Sequence, residues 1–332
     1  MPSQDDQPTC AYSPDDCCAL SQVPSKGLGL VATKHIPRSS TILSEPPLLV
    51  FPSVPTADTM KQLYAGLSPS NRKAFASFQP SGENDDLLVD IAKTNGIILS
   101  SNTEEKGIPQ AMGGAGRKPV KMAVFEWASR VNHSCVPNAI WRWDKTEEKL
   151  ILSAWRDIPP GSEITASYFD RTSDWLVAPQ HARDAELRTS FSFSCLCDAC
   201  VQPGITRATS NAALRHYRAL RELWSFDDDD GEEFASDRYL TWAADLPVAL
   251  AVLATAKQIL EEQQKWEEIG LVITATFAVY CVRGKASAAR KAAREAMAQD
   301  SIQMGPGMAR FWDEWTHKTR HHGLWNTGRF YV

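Results

Sequence analysis

The sequence predicts an α+β chain, β-rich with a helical insertion over residues 23–202 and helical over 203–332. Three observations predict it. Short apolar runs separated by turn residues fill 26–51 and 149–168. A helix-start signal, Ser68-Pro69-Ser70-Asn71, stands between them, with Phe75 and Phe78 three apart on one helical face. Apolar faces and Ala-rich surfaces recur from 246 to 300, as in packed helical hairpins.

Residues 1–22 mix Pro, Asp, Ser and three cysteines without a period and predict an irregular lead-in. Gly27 to Ala32 is a short apolar strand, His35-Ile36-Pro37-Arg38 a turn, and Thr41 to Glu45 a second strand. Pro46-Pro47 breaks regularity before Leu48 to Phe51. The insertion, about 52–95, is predicted helical over 56–78 and again over 85–95, where it runs into Asn95-Gly96-Ile97-Ile98-Leu99. Gly and polar residues from Asn102 to Lys118 predict a loop. Lys149 to Trp155 reads as a strand, Asp157-Ile158-Pro159-Pro160-Gly161 as a tight turn, and the run to Tyr168 as the next strand. The acidic run from Asp227 to Glu233 reads as a solvated loop or linker. Helices follow over Leu246 to Leu260, Ile269 to Val282 and Ser287 to Ala298.

Composition excludes several classes. A hydrophobic fraction of 43% and a charged fraction of 23% are ordinary for a globular protein, and a formal charge of −5 argues against a general nucleic-acid binder. The polar, acidic N-terminus has no apolar segment behind it and predicts no secretory signal. No apolar run approaches the ~18 residues of a membrane span. Eight cysteines without an export signal read as thiols or metal ligands, which predicts an intracellular protein, nuclear or cytoplasmic. The absence of a heptad seam leaves a monomer as the expectation.

Two stretches carry chemistry. The first is Arg130-Val131-Asn132-His133-Ser134-Cys135-Val136-Pro137-Asn138, followed by Gly161-Ser162-Glu163-Ile164-Thr165-Ala166-Ser167-Tyr168. The second is Cys195-x-Cys197-x-x-Cys200, which places three soft ligands within six residues for an ion such as zinc that takes four. Cys10, Cys17 and Cys18 make a poorer set, because adjacent cysteines chelate one ion badly. Cys281, in an apolar helix, reads as core.

In that order, Asn-His-Ser-Cys, a downstream tyrosine and the cysteine cluster resemble the SET-domain protein methyltransferases, and among them the SET- and MYND-domain lysine methyltransferases. The resemblance covers roughly residues 24–202. It implies a SET domain with a zinc-bound post-SET segment, and S-adenosylmethionine as methyl donor. By the same resemblance Cys135 is the fourth zinc ligand beside Cys195, Cys197 and Cys200, in a structural rather than catalytic site. Tyr168 corresponds to the tyrosine that orients the substrate amine, and Phe193 to the aromatic that covers the cofactor and walls the lysine channel. Asn132 and His133 match the cofactor-holding pair. Lys26-Gly27-Leu28-Gly29 resembles the Gly-x-Gly turn beside the cofactor, and Asn95 matches a further cofactor contact. The implied partner is a protein or peptide lysine.

The chain departs from the pattern in two places. Between Phe51 and Asn95 there is no cysteine or histidine, so the MYND zinc module is absent, as in similar fungal SET proteins. Ser162 stands where the family's turn usually carries its first glutamate. A non-catalytic scaffold and a fold turned to small-molecule chemistry remain as alternatives, since a fold does not fix a function.

Overall fold

The structure, a computed structural model, describes residues 17–99, 121–169, 174–224 and 237–330. They fall into two compact units. One is drawn from Met1–His133 and Pro137–Ala166, the other from Ser134–Val136 and Ser167–Val332. The signature is thus divided between them, with Asn132 and His133 in the first and Ser134 to Val136 in the second. The post-SET cysteines fall in the second unit, with the helices.

The first unit holds three small sheets. In one, β1 (Cys18–Val23) and β2 (Gly27–Ala32) form a hairpin. Then β10 (Glu163–Ala166) pairs antiparallel with β2 and parallel with β7 (Asn132–His133). The expectation of an irregular lead-in fails at β1. Ser25 (φ 63°) and Gly27 (φ 77°) supply the left-handed backbone of a tight turn, and Lys26 N donates to the Val23 carbonyl at 3.1 Å. The mixed run Cys-Ala-Leu-Ser-Gln-Val gave little sign of this. A second sheet orders β3 (Thr41–Glu45), β9 (Lys149–Ala154) and β8 (Ala139–Asp144). A third orders β4 (Leu49–Pro52), β6 (Lys121–Val124) and β5 (Ile97–Ile98).

The insertion forms α1 (Ala57–Ala65), α2 (Pro69–Ala76) and α3 (Leu87–Asn95). The predicted 56–78 helix is two helices, because Gly66 and Leu67 leave the helix and Ser68 restarts it, its Oγ accepting from Asn71 N at 3.1 Å. Met60, Phe75, Phe78, Val89, Ile91 and Ala92 bury against Leu49, Phe51 and Val124 of the third sheet.

The second unit is helical: α4 (Gln180–Phe191), α5 (Gly204–Arg221), α6 (Asp237–Ala244), α7 (Leu246–Glu262), α8 (Trp266–Val282), α9 (Ala286–Met304) and α10 (Pro306–Lys318). Consecutive helices from α7 to α10 pack on one another. α8 is apolar on most faces, and it lies at the centre of the unit's core with Ile269, Val272, Phe277 and Val282 buried. The three helices predicted between 246 and 298 are present, each longer than predicted. No described helix is long and apolar enough to cross a membrane. Cys10, the 102–118 loop and the acidic run 227–233 lie outside the described residues.

Candidate functional site

In the first unit the signature strand is fixed from three sides. Glu45, buried at the end of β3, accepts from the backbone N–H of Ala128 (2.5 Å) and Trp127 (3.2 Å), capping the single 3₁₀ turn Ala128–Arg130. Burial pushes the Glu45 carboxyl up to about 7, although those amides pull it down. Arg130 donates to Ser77 Oγ at 2.6 Å and lies 4.1 Å over the Phe78 ring, tying the strand to α2. Asn138 takes both backbone groups of β10 that face it: its Oδ1 accepts from Thr165 N and its Nδ2 donates to the Glu163 carbonyl, each at 2.8 Å. Pairing of Thr165 with Asn132 and of Ala166 with His133 follows.

This register brings Lys26, Asn132 and Glu163 together. Lys26 Nζ donates to Glu163 Oε2 at 2.6 Å, and Asn132 Nδ2 donates to Glu163 Oε1 at 2.8 Å and to the Leu28 carbonyl at 3.4 Å. Gly29 makes the approach possible. A Cβ there would stand 2.7 Å from Asn132 Nδ2 and 2.8 Å from Val23 Cγ2. The two glycines of the turn therefore serve different ends, Gly27 its backbone sign and Gly29 its lack of a side chain.

The cluster keeps spare capacity of both signs. An ammonium has three N–H donors and Lys26 gives one to Glu163, while each Glu163 oxygen accepts one bond and has room for another. Oδ1 of Asn132 accepts nothing from the described residues. His133 is buried at the end of β7. Asn95 is not bonded to this group: it ends α3, and its amide donates to the carbonyls of Gln79 (3.0 Å) and Ile91 (2.9 Å). Glu163 is the residue that sequence reasoning missed. The sequence places it on the strand after the turn, and only the pairing of β10 with β2 and β7 reveals what it faces.

In the second unit Tyr168 stands in an aromatic trio. Its ring centroid is 5.2 Å from Phe191 and 6.1 Å from Phe193, and those two are 6.5 Å apart. Phe191 is the last residue of α4. Ser192, its C-cap, adopts the left-handed conformation (φ 58°, ψ 27°), and this turn lets residues 191 and 193 both face Tyr168. Phe191 was not legible in the sequence, which gives no sign of a left-handed serine.

The same unit gathers Cys135, Cys195, Cys197 and Cys200. All four are buried, and their sulfurs lie within 4.8 Å of one another. Cys135 Sγ is 3.9 Å from Cys195 Sγ and 3.6 Å from Cys200 Sγ. A tetrahedral zinc with Zn–S of ~2.3 Å separates its sulfurs by ~3.8 Å, so the cage already has the size of a tetrathiolate site. It could hold a metal ion. The mutual hydrogen bond with Cys135 is the leading cause that raises the Cys195 and Cys200 thiols above their ordinary values. Cys17 and Cys18 do not form a second cage. Cys17 Sγ donates to the Ile42 carbonyl at 3.6 Å, and both pack in the sheet core. Cys281 is core, as predicted.

Two buried basic side chains border the cage. Arg183 of α4 places its guanidinium against the thiols of Cys135 and Cys200 and donates to the Ala178 carbonyl. Burial works against its charge, but those thiols outweigh it and its pKa is raised. Lys265, just before α8, donates to the Cys135 carbonyl at 2.7 Å.

A β-rich unit carrying Asn-His at the end of a parallel strand pair, with a tyrosine and a four-cysteine cage following, defines a SET domain with a cysteine-rich tail. Residues 27–169 match the SET domain family, and the chain carries that domain. It is similar to curated lysine methyltransferases. One is Histone-lysine N-methyltransferase set5 of Schizosaccharomyces pombe, 27% identical over 54% of this chain and 48% of the relative. Another is Protein-lysine N-trimethyltransferase SMYD5 of Homo sapiens, 31% identical over 42% and 28%. A third is N-lysine methyltransferase SMYD2 of Homo sapiens, 36% identical over 36% and 23%. The chain spans less than half the length of each of these relatives.

Proposed function

We propose that this chain is an S-adenosylmethionine-dependent protein-lysine N-methyltransferase. The observation that carries the reading is the Lys26–Glu163–Asn132 cluster within a SET domain. An ammonium, a carboxylate and an amide with unused donors and acceptors suit the charged amino-acid end of the donor. Lys26 and Asn132 would take its carboxylate and Glu163 its ammonium, and His133 follows Asn132 on β7. When bound, S-adenosylmethionine supplies an electrophilic methyl on a positively charged sulfur.

The chain's own residues prepare the amine. A free lysine has a pKa near ~10.4 and is almost wholly protonated at neutral pH. Walls formed by Phe191, Phe193 and Tyr168 remove water and favour the neutral amine. The Tyr168 hydroxyl would orient the substrate nitrogen, and alignment of this kind contributes strongly to rate. Four thiolates leave no open position on an ion in the cage, so zinc there is structural. The substrate is a lysine on a protein or peptide. The same reading puts the enzyme inside the cell, in nucleus or cytoplasm, where thiols stay reduced.

Calorimetry with S-adenosylmethionine on the purified chain tests the reading, with Asn132→Ala as control. Micromolar binding that the variant loses is expected. A folded, zinc-loaded chain that binds no donor sinks it in favour of a scaffold. Donor binding without methylation of any lysine in a peptide array favours small-molecule chemistry instead.

A further inference from the structure

We propose that the cleft between the start of α5 and the end of α7 receives an arginine side chain of the protein substrate, separate from the lysine that accepts the methyl group. This deepens the methyltransferase reading and rests on it for the identity of the guest as substrate.

The cleft begins two residues beyond Cys200 and has a volume of about 360 Å³. Gln202, Ile205, Thr209 and Ser210 line it from the α5 side, and Glu262 and Gln263 from the α7 side. Its volume is at the low end of the ~300–1,000 Å³ of small-ligand sites and suits one long side chain. The positive end of α5 and the negative end of α7 meet there, so the side chains set its sign.

Those side chains offer lone pairs and few protons. Thr209 Oγ1 donates to the Ile205 carbonyl at 3.1 Å, and Ser210 Oγ donates to Gln263 Oε1. A hydroxyl has one proton, so both oxygens can now only accept. Glu262 Oε1 accepts from Gln258 Nε2 at 2.8 Å, and each carboxylate oxygen has room for a further donor. Oε1 of Gln202 is buried and has no hydrogen-bond partner. An unpaired buried acceptor is costly, and a donor arriving beside it recovers that cost. Among the described residues that line the cleft, none is basic.

A matching guest donates several hydrogen bonds, carries positive charge and accepts nothing. At neutral pH lysine and arginine are the side chains of that kind. The acceptors are spread over both sides of the cleft. That spread suits the five fixed donors of a planar guanidinium better than an ammonium, which is a point charge. Ile205, 82% exposed, offers an apolar surface to the aliphatic part of the side chain.

The cleft and the aromatic trio of Tyr168 belong to the same unit. Gln202 follows Phe193 by nine residues, and a fully extended chain of that length spans at most about 32 Å. A substrate strand covers this distance in about ten residues. The arginine therefore falls within about ten residues of the methylated lysine.

The test uses the full chain and synthetic peptides with one central lysine in a Gly-Ser background. One arginine is placed in turn at each of about ten positions on either side. Fluorescence polarisation reads binding, and transfer of labelled methyl groups reads activity. In the favoured register arginine should tighten binding at least ~10-fold and lower KM to match, with kcat unchanged. Glu262 is exposed, so its variants keep the fold. Glu262→Gln should weaken the arginine peptide about 3–5-fold, the size of an exposed charge pair. Glu262→Lys brings its own cation to the cleft and should abolish the preference for arginine. Both should leave kcat on the arginine-free peptide at the wild-type value. Glu314→Gln removes a carboxylate of α10 that is bound to Lys318, and should change nothing.

If arginine tightens binding in no register, or if Glu262→Lys retains the preference, the proposal is overturned and the methyltransferase reading stands. Lysine binding as tightly in place of arginine overturns the choice of arginine. Arginine-dependent binding without methyl transfer to any peptide overturns the methyltransferase reading and leaves the arginine site intact.

Discussion

Gly29, Asn132 and Glu163 act as one device. Gly29→Ala drives a Cβ into Asn132 and Val23, and overpacking of this kind costs about 1–3 kcal/mol. Chemical denaturation should show that loss, and calorimetry should show donor binding abolished, because Asn132 must move. Glu163→Gln keeps the shape and removes the charge. Its stability should stay near wild type while donor affinity falls about 10-fold or more, since hydrogen bonds to charged groups contribute ~1.5–3 kcal/mol. Tyr168→Phe should retain donor binding and lose most methyl transfer, and undiminished transfer would contradict the role given to the hydroxyl. Asn132, His133 and Tyr168 were legible as residues because they sit inside a long ordered signature. Glu163 and Phe191 were not. Each gains its place from a long-range pairing or a left-handed backbone that leaves no pattern in sequence.

Among elements, the turn before Asn132 hangs on Glu45. Its carboxyl is near 4.5 when unfolded and about 7 when folded. The folded state therefore holds the proton more tightly, and the stabilisation is fully present below pH 4.5 and lost as pH rises through about 7. Glu45→Gln cannot ionise, so its urea stability should decline less between pH 5 and 8, by up to about 3 kcal/mol. Equal pH dependence in the two proteins would remove Glu45 from this role. Cys197→Ser should lose its zinc and the order of the post-SET segment. One bound zinc with unchanged stability would contradict the cage. Two of the unread helices, α4 and α10, share an explanation. α4 buries Arg183 and Leu187, so half of its buried pair is charged and no apolar stripe appears. α10 buries Trp312 and Thr316, again one apolar residue and one polar. By contrast α8 is apolar almost throughout and was plain.

For the whole molecule, each unit owns its core. Leu30, Leu150, Leu152 and Ile164 centre one, and Leu253, Val272, Phe277 and Val279 another. Calorimetry should resolve two unfolding transitions, of which a strong chelator lowers only the one belonging to the helical unit. A single transition, or a shift in both, would show one cooperative body. The post-SET cysteines belong to the helical unit. Packing places them with the helices, through Arg183 and the Cys135 carbonyl that Lys265 binds. That last contact joins residues 130 apart. A ribosome adding roughly 5–20 residues per second exposes the Asn-His-Ser-Cys segment many seconds before Lys265 emerges. During synthesis the Cys135 carbonyl is therefore exposed without its lysine partner, and the seating of this segment is completed only when the start of α8 arrives.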